Sequence, residues 1–205
     1  MKLGYSEKEA KKSNPIDAGA HSAVCTQVID LGLQREEYMG EVKEIKQIRI
    51  VWEVDEKGKD SDGKEYNRIH GETYTNSLGE KAKLRGILEG WRGKSFTEEE
   101  LANFDTEQIL GKDCTLNIKH KTSKSGNVYA IVDSISKFNE KLGKVDRQGE
   151  LICFDKTNLS DEERITILAK LPKFIQEKIL SAIDENNIKN DMVTLNEKEA
   201  MDLPF

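Results

Sequence analysis

The stretch CTLNIKHKTSKSGNVYAIVDSIS, Cys114–Ser136, decides how the chain is read. Two runs of period-two alternation, Cys114/Leu116/Ile118 and Tyr129/Ile131/Asp133/Ile135, flank Thr122-Ser123-Lys124-Ser125-Gly126-Asn127, whose small polar residues and glycine are turn formers. The stretch therefore reads as a β-hairpin with a basic tip. With Cys114, Leu116 and Ile118 facing a core, Thr115, Asn117, Lys119 and Lys121 point the other way, Lys124 sits in the turn, and Tyr129 returns opposite them. Cations beside an aromatic ring on an exposed sheet suit a single nucleic-acid strand, because lysines neutralise phosphates while a ring stacks on an unpaired base. In an isolated hairpin the same lysines would only keep a sheet edge solvated, so the rest of the chain has to decide.

Upstream, residues 1–17 are charged, poor in apolar residues and end near Asn14-Pro15, which predicts a flexible arm. A first strand is expected over Ala23–Leu31, closed by Gly32, and a polar connection over GLQREEYMGEVKE. In the second strand Ile48, Ile50, Trp52 and Val54 alternate with Gln47, Arg49, Val51 and Glu53, so one face is apolar and Arg49 lies on the other. Asp55–Asn67 carries two glycines and little to bury, and reads as a mobile loop. Arg68–Thr75 is a weaker third strand. Ser77-Leu78-Gly79-Glu80 has a capping-box pattern ahead of an apolar stripe, Ala82, Leu84, Ile87, Leu88 and Trp91, with Gly93 where a helix should stop. Thr97-Glu98-Glu99-Glu100 opens a second, short helix.

The order strand, strand, strand, helix, strand, strand predicts a mainly β protein: a five-stranded OB-fold barrel over residues 18–138, with the helix between strands three and four. Such barrels bind oligonucleotides across strands two and three and the loops joining one to two and four to five. The Lys-rich tip is then the loop between strands four and five, and Arg49 and Trp52 sit on strand two. Trp52 is in phase with Ile48 and Ile50, so core packing competes with base stacking for its ring.

Residues 139–158 read as a linker with a short strand, LICFDK, and residues 159–186 as a helical extension. Ser160 caps its first helix, Pro172 starts its second, and Ile175, Ile179 and Ile183 give an apolar edge that could dock on the barrel, dimerise or grip a partner. Residues 187–205 are expected to form a flexible acidic tail ending in Asp202-Leu203-Pro204-Phe205, a terminal aromatic with a carboxylate attached.

Composition narrows the classes. Of 205 residues 36% are hydrophobic and 34% charged; no run approaches a membrane span and the start lacks a signal peptide's apolar segment, so a cytoplasmic protein is expected. Cys25, Cys114 and Cys153 with His21, His70 and His120 show no metal-ligand spacing, and neither metal nor cofactor is expected. No phosphate loop, nucleophile elbow or convincing carboxylate pair points to an enzyme. Net charge is −6, against a generic basic nucleic-acid binder, yet between Lys112 and Tyr129 four lysines face one aspartate.

The segments GAHSAVCTQVIDLGLQ (Gly19–Gln34), YTNSLGEKAKLRGILEGWRGKSFTEEELANFD (Tyr74–Asp105) and ILGKDCTLNIKH (Ile109–His120) resemble a family of small phage-encoded proteins with an OB-fold like that of single-stranded-DNA-binding proteins. The resemblance implies a role in phage replication or recombination, hence in the bacterial cytoplasm. The ending Met201-Asp202-Leu203-Pro204-Phe205 is similar to the acidic Pro-Phe tip of bacterial single-stranded-DNA-binding proteins, which implies docking of replication or repair enzymes. It departs from that pattern in having one acid, Asp202, directly before Leu203.

The leading expectation is sequence-non-specific single-stranded DNA binding through Arg49, Trp52, Tyr74, Lys119, His120, Lys121, Lys124 and Tyr129, with Asp202, Leu203, Pro204 and Phe205 as the partner-binding tip. Tyr129 is the first stacking candidate, Tyr74 and Trp52 the second. Two rivals stand beside it: a protein-binding adaptor or inhibitor, which the acidic charge favours, and a strand-annealing protein, which would need a homo-oligomer.

Overall fold

The apolar face of the second strand is where packing begins. In the computed structural model, which describes residues 14–38 and 40–183, Ile48, Ile50, Trp52 and Val54 are all fully or nearly buried on one side of β2 (Glu41–Lys59), and Val51 is buried on the other. A strand covered on both faces needs two cores, and the described residues form two. β1 (Gly19–Tyr38) pairs antiparallel with β2, and β2 with β3 (Glu65–Thr75). β1 also pairs with β4 (Asp113–Thr122), which forms a hairpin with β5 (Val128–Lys137), so the sheet runs β3-β2-β1-β4-β5.

Bulges in β1 between Cys25 and Gln27 and between Asp30 and Gly32 divide its second edge. Residues 19–24 pair with β4, and Gln27–Ile29 pair parallel with the short β6 (Ile152–Phe154). A bulge bends and twists a strand, which lets one strand serve both neighbours. The inner core gathers Ala23, Cys25 and Val28, the β2 row, Leu116, Ile118, Val132 and Ile135, and Leu84, Ile87, Leu88 and Trp91 of α1 (Lys83–Arg92). The outer core joins Ile29, Leu31 and Val51 to Ile152 and Phe154, and to α3 (Asp161–Lys170) and α4 (Lys173–Leu180), through Leu168, Leu171, Ile175 and Ile179.

The extension thus docks on the back of β1 and β2. Each buried Leu or Ile contributes roughly 1.5–3 kcal/mol, so these side chains hold the helices firmly; of the expected edge Ile175 and Ile179 are buried and Ile183 stays 38% exposed. Ser160 caps α3 in a full capping box, as does Thr97 for the short α2 (Glu98–Asn103). α1 begins later than the Ser77 box implies: Ser77 Oγ accepts only from Gly79 N, and Ala82 is an uncapped start. Gly93 closes α1 in the left-handed region, at φ 66°.

The closed barrel expected from the strand order is not formed. β3 and β5 end the sheet path and share no ladder. Side chains join them instead: Glu72 Oε2 accepts from Val132 N at 2.6 Å, and Glu72 Oε1 accepts from Lys83 Nζ at 2.6 Å. Burial opposes ionisation of Glu72, but the His70 ring 3.6 Å away, the hydrogen bonds from Lys83 and Val132 N and the Lys83 charge outweigh it and hold the carboxyl below its usual value. A carboxylate with a lowered folded pKa stabilises the fold above its unfolded value, about 4.3, and that contribution is lost as pH falls through the folded value. Thermal midpoints measured against pH should therefore drop below about pH 4.3 more steeply in the wild type than in Glu72→Gln, which should already be less stable at neutral pH. Parallel curves would mean that this seam contributes nothing.

Three segments differ from the sequence expectation. The polar connection after Gly32 and most of Asp55–Asn67 are strand: β1 and β2 pair out to Tyr38 and Glu41, and β2 and β3 out to Lys59 and Glu65. These arms have no core behind them, so they lack the alternation that marks a half-buried strand. The arm expected over residues 1–17 is built into the fold from Asn14 onward. Ile16 is a core residue, Arg68 donates to the Asn14 and Pro15 carbonyls, Asp17 N donates to Glu56 Oε2 at 2.8 Å, and His120 Nε2 bonds the Ile16 carbonyl at 2.8 Å. The tail and its Asp202–Phe205 tip lie outside the described residues. Among the described residues no helix is long and apolar enough to cross a membrane.

Candidate nucleic-acid interface

Residues directly opposite in an antiparallel ladder point to the same face. Lys121 faces Tyr129 and Lys119 faces Ile131, so Lys119, Lys121, Tyr129 and Ile131 share the outer face of the β4–β5 hairpin. Lys124 stands at the tip of a turn that Ser123 organises: its N–H donates to the Asn127 carbonyl, its carbonyl accepts from Gly126 N, and its Oγ accepts from Asn127 N. The expected alternation holds on β4 and fails on β5. A bulge between Asn117 and Ile118 pairs these with Ser134 and Val132, so Val132 and Ile135 face inward while Asp133 and Ser134 are both exposed. Lys119 Nζ lies 2.8 Å from Asp133 Oδ2, but both side chains are largely exposed, and such a pair is worth about 0–1 kcal/mol. A phosphate can displace it at little cost. Lys121 and Lys124 form no ion pair among the described residues.

Tyr129 is 44% exposed and borders a groove of about 230 Å³ between β3 and β5, together with Ile69, Val128, Ala130 and the Asn14–Ile16 strap. Ile69 of β3 is 62% exposed and shares the outward face with Gly71 and Thr73. The other two aromatic candidates are corrected: Trp52 is 0% and Tyr74 3% exposed, and both rings belong to the inner core. Trp52 packs at 6.3 Å, tilted, against Trp91, and Lys83 Nζ sits 5.3 Å from the centre of the Tyr74 ring. Neither ring offers a face to a base. Burial pushes the Tyr74 hydroxyl upward in pKa, so it stays protonated. His120 lies opposite Ala130, in phase with the inner row of β4, and its ring fastens the strap at Ile16.

Arg49 is outward, as its phase predicts, and its setting is specific. Its Nη1 donates to Thr73 Oγ1 at 3.3 Å, and the guanidinium lies over Gly71, where a Cβ would meet Nη2 at 2.4 Å. Its carbon is 5.7 Å from the ring centre of Phe174, on the first turn of α4 and 59% exposed. No carboxylate forms an ion pair with Arg49 among the described residues. Burial lowers its pKa and the nearby Glu72 charge partly opposes this, yet a guanidinium stays cationic at neutral pH. Ile69 and Phe174 were not picked out from sequence. The available signal for Phe174 was its position one residue out of phase with the Ile175/Ile179 edge of a helix that buries that edge.

The three thiols are free: Cys25 and Cys114 are buried, and burial pushes Cys153 up to about 11. They are inert packing residues under ordinary conditions. Among the described residues no group of three or more His, Cys, Asp or Glu is placed to share a metal ion. No protein-family model matches the chain, and neither does any curated protein.

Proposed function

We propose that the protein binds single-stranded DNA without sequence preference, as an OB-type module with an open seam, and serves phage replication or recombination in the bacterial cytoplasm. One observation carries the reading: Lys119, Lys121 and an exposed Tyr129 lie on one outward hairpin face, beside a groove, on a chain whose net charge is −6. Acidity elsewhere opposes indiscriminate adhesion, while the local field draws a backbone to the ring. The Asp202–Phe205 ending is assigned the docking of a replication or repair enzyme. An adaptor would leave the basic face without a task, and strand annealing would add an oligomer to the same DNA contact.

The test is fluorescence anisotropy of labelled oligo-dT across a salt series, with duplex as competitor. Each phosphate neutralised on a single strand contributes about −0.7 to the log–log salt slope. Replacing Lys119, Lys121 and Lys124 together by alanine should weaken binding and flatten the slope by one to two such increments. Tyr129→Ala should cost about 1–3 kcal/mol of binding at unchanged thermal stability. Wild-type affinity and slope in the triple variant would move the DNA site off the hairpin.

A further inference from the structure

The outward row of β3 connects two features that the hairpin alone does not explain. Ile69, Gly71 and Thr73 share this face, alternating with inward neighbours along the strand. At one end Ile69 borders the groove with Tyr129; at the other, Arg49 crosses Gly71 to reach Thr73 and leans on Phe174. Ile69 and Thr73 are four residues apart, about 13 Å along a strand, room for a few nucleotides of extended backbone. The partly buried guanidinium has a hydroxyl but no carboxylate partner among the described residues, which leaves its charge available to an anion directly beside the exposed Phe174 ring. The charges nearest on α4 are Lys173 and Lys178 against Glu177, so its exposed side is net positive in a net acidic chain.

We infer that a DNA strand held at the hairpin continues along the outer face of β3 to a second subsite, where Phe174 stacks on a base and Arg49 binds a phosphate. Its occupant is single-stranded, because a ring can stack only on an unpaired base. The C-terminal extension then contributes directly to binding: docking α4 on the outer core positions Phe174 beside the β2 cation. Gly71 is part of the subsite, since a side chain there would displace the guanidinium. The inference rests on the single-strand reading proposed above.

Anisotropy with oligo-dT of graded length separates the two claims. Phe174→Ala should weaken long oligomers about tenfold, as expected for one lost stack, and leave unchanged the shortest oligomer that still binds. Arg49→Gln should reduce the salt slope by about 0.7. Phe174 is exposed, so Phe174→Ala should keep the wild-type thermal midpoint and Phe174→Trp should keep wild-type affinity. As an independent readout on the unaltered chain, ultraviolet crosslinking of an oligomer carrying 5-iododeoxyuridine should label the tryptic peptide Phe174–Lys178. If the hairpin variant loses DNA while Phe174→Ala and Arg49→Gln do not, and the peptide stays unlabelled, the second subsite is wrong and the hairpin site stands. If the wild type binds no oligo-dT, the single-strand reading itself fails. Lower thermal midpoints for both variants at unchanged affinity would reduce the pair to a fastening for α4.

Discussion

Trp52→Ala is expected to cost about 3–5 kcal/mol of folding stability, the range for truncating a fully buried large aromatic. The ring is 0% exposed, packs against Trp91 and lies in the β2 row that also carries Ile48, Ile50 and Val54. A native domain holds only about 5–15 kcal/mol in all, so the variant should melt far below the wild type or fail to accumulate folded. Trp52→Phe should cost much less, because the indole N–H has no acceptor among the described residues and most of the apolar contact survives. Denaturant unfolding of both variants checks the difference. Weakened DNA binding in a Trp52→Ala protein of wild-type stability would turn the ring outward and overturn the packing described above.

Glu53→Ala should be the second large effect. Glu53 is a buried carboxylate on the outward face of β2, and three donors converge on it: Asn67 Nδ2 at 2.9 Å, Gln148 N at 2.9 Å and Gly149 N at 2.6 Å. Asn67 Nδ2 also reaches the Asp146 carbonyl at 2.6 Å, and Asn67 N donates to Gln148 Oε1 at 3.0 Å. The approach is so close that a Cβ on Gly149 would sit 2.6 Å from Glu53 Oε1. Hydrogen bonds to a charged group are worth about 1.5–3 kcal/mol each, and donors left buried without a partner cost about 1–3 kcal/mol. Part of that loss will be relieved as the connection swings into water, so about 3 kcal/mol in total is expected. The local signature is sharper than the global one: amide exchange at Gln148 and Gly149 should accelerate before the sheet opens. Unchanged protection there would mean that residues 146–149 are held by something other than this carboxylate.

Period-two alternation made β2 legible in the sequence, including which side of it Arg49 takes, and it made the inner row of β4 legible too. It failed wherever burial does not alternate. The Arg35–Glu44 pair, at 3.0 Å, sits in a two-stranded arm with polar residues on both faces, which looks like a loop when read residue by residue. The phase of β5 was lost to one bulge opposite Ile118, and a bulge leaves no mark when the residues around it, Asp133 and Ser134, are ordinary surface types. Tyr74 and Tyr129 are the same residue type on similar strands. Only the packing of α1 over one and the open seam beside the other separates a core ring from an exposed one. Phe174 was hidden for the opposite reason, since an aromatic next to an isoleucine edge is read as part of that edge.

The wrapping of residues 139–183 around the back of the sheet also fixes what can be separated from what. Ser22 Oγ donates to the Gly143 carbonyl, Thr115 Oγ1 accepts from Asn139 N, Glu53 holds residues 148 and 149, and Gln34 Nε2 donates to the Lys178 carbonyl at 2.9 Å. A cut after Lys137, where strand order alone would end the module, removes all of these partners and lays Ile29, Leu31 and Val51 open to water. The inheritable unit, the piece that recombination could move between genomes intact, therefore does not stop at Lys137 but takes in β6, α3 and α4 with the sheet, and a crossover between them would deliver a sheet with an adhesive back.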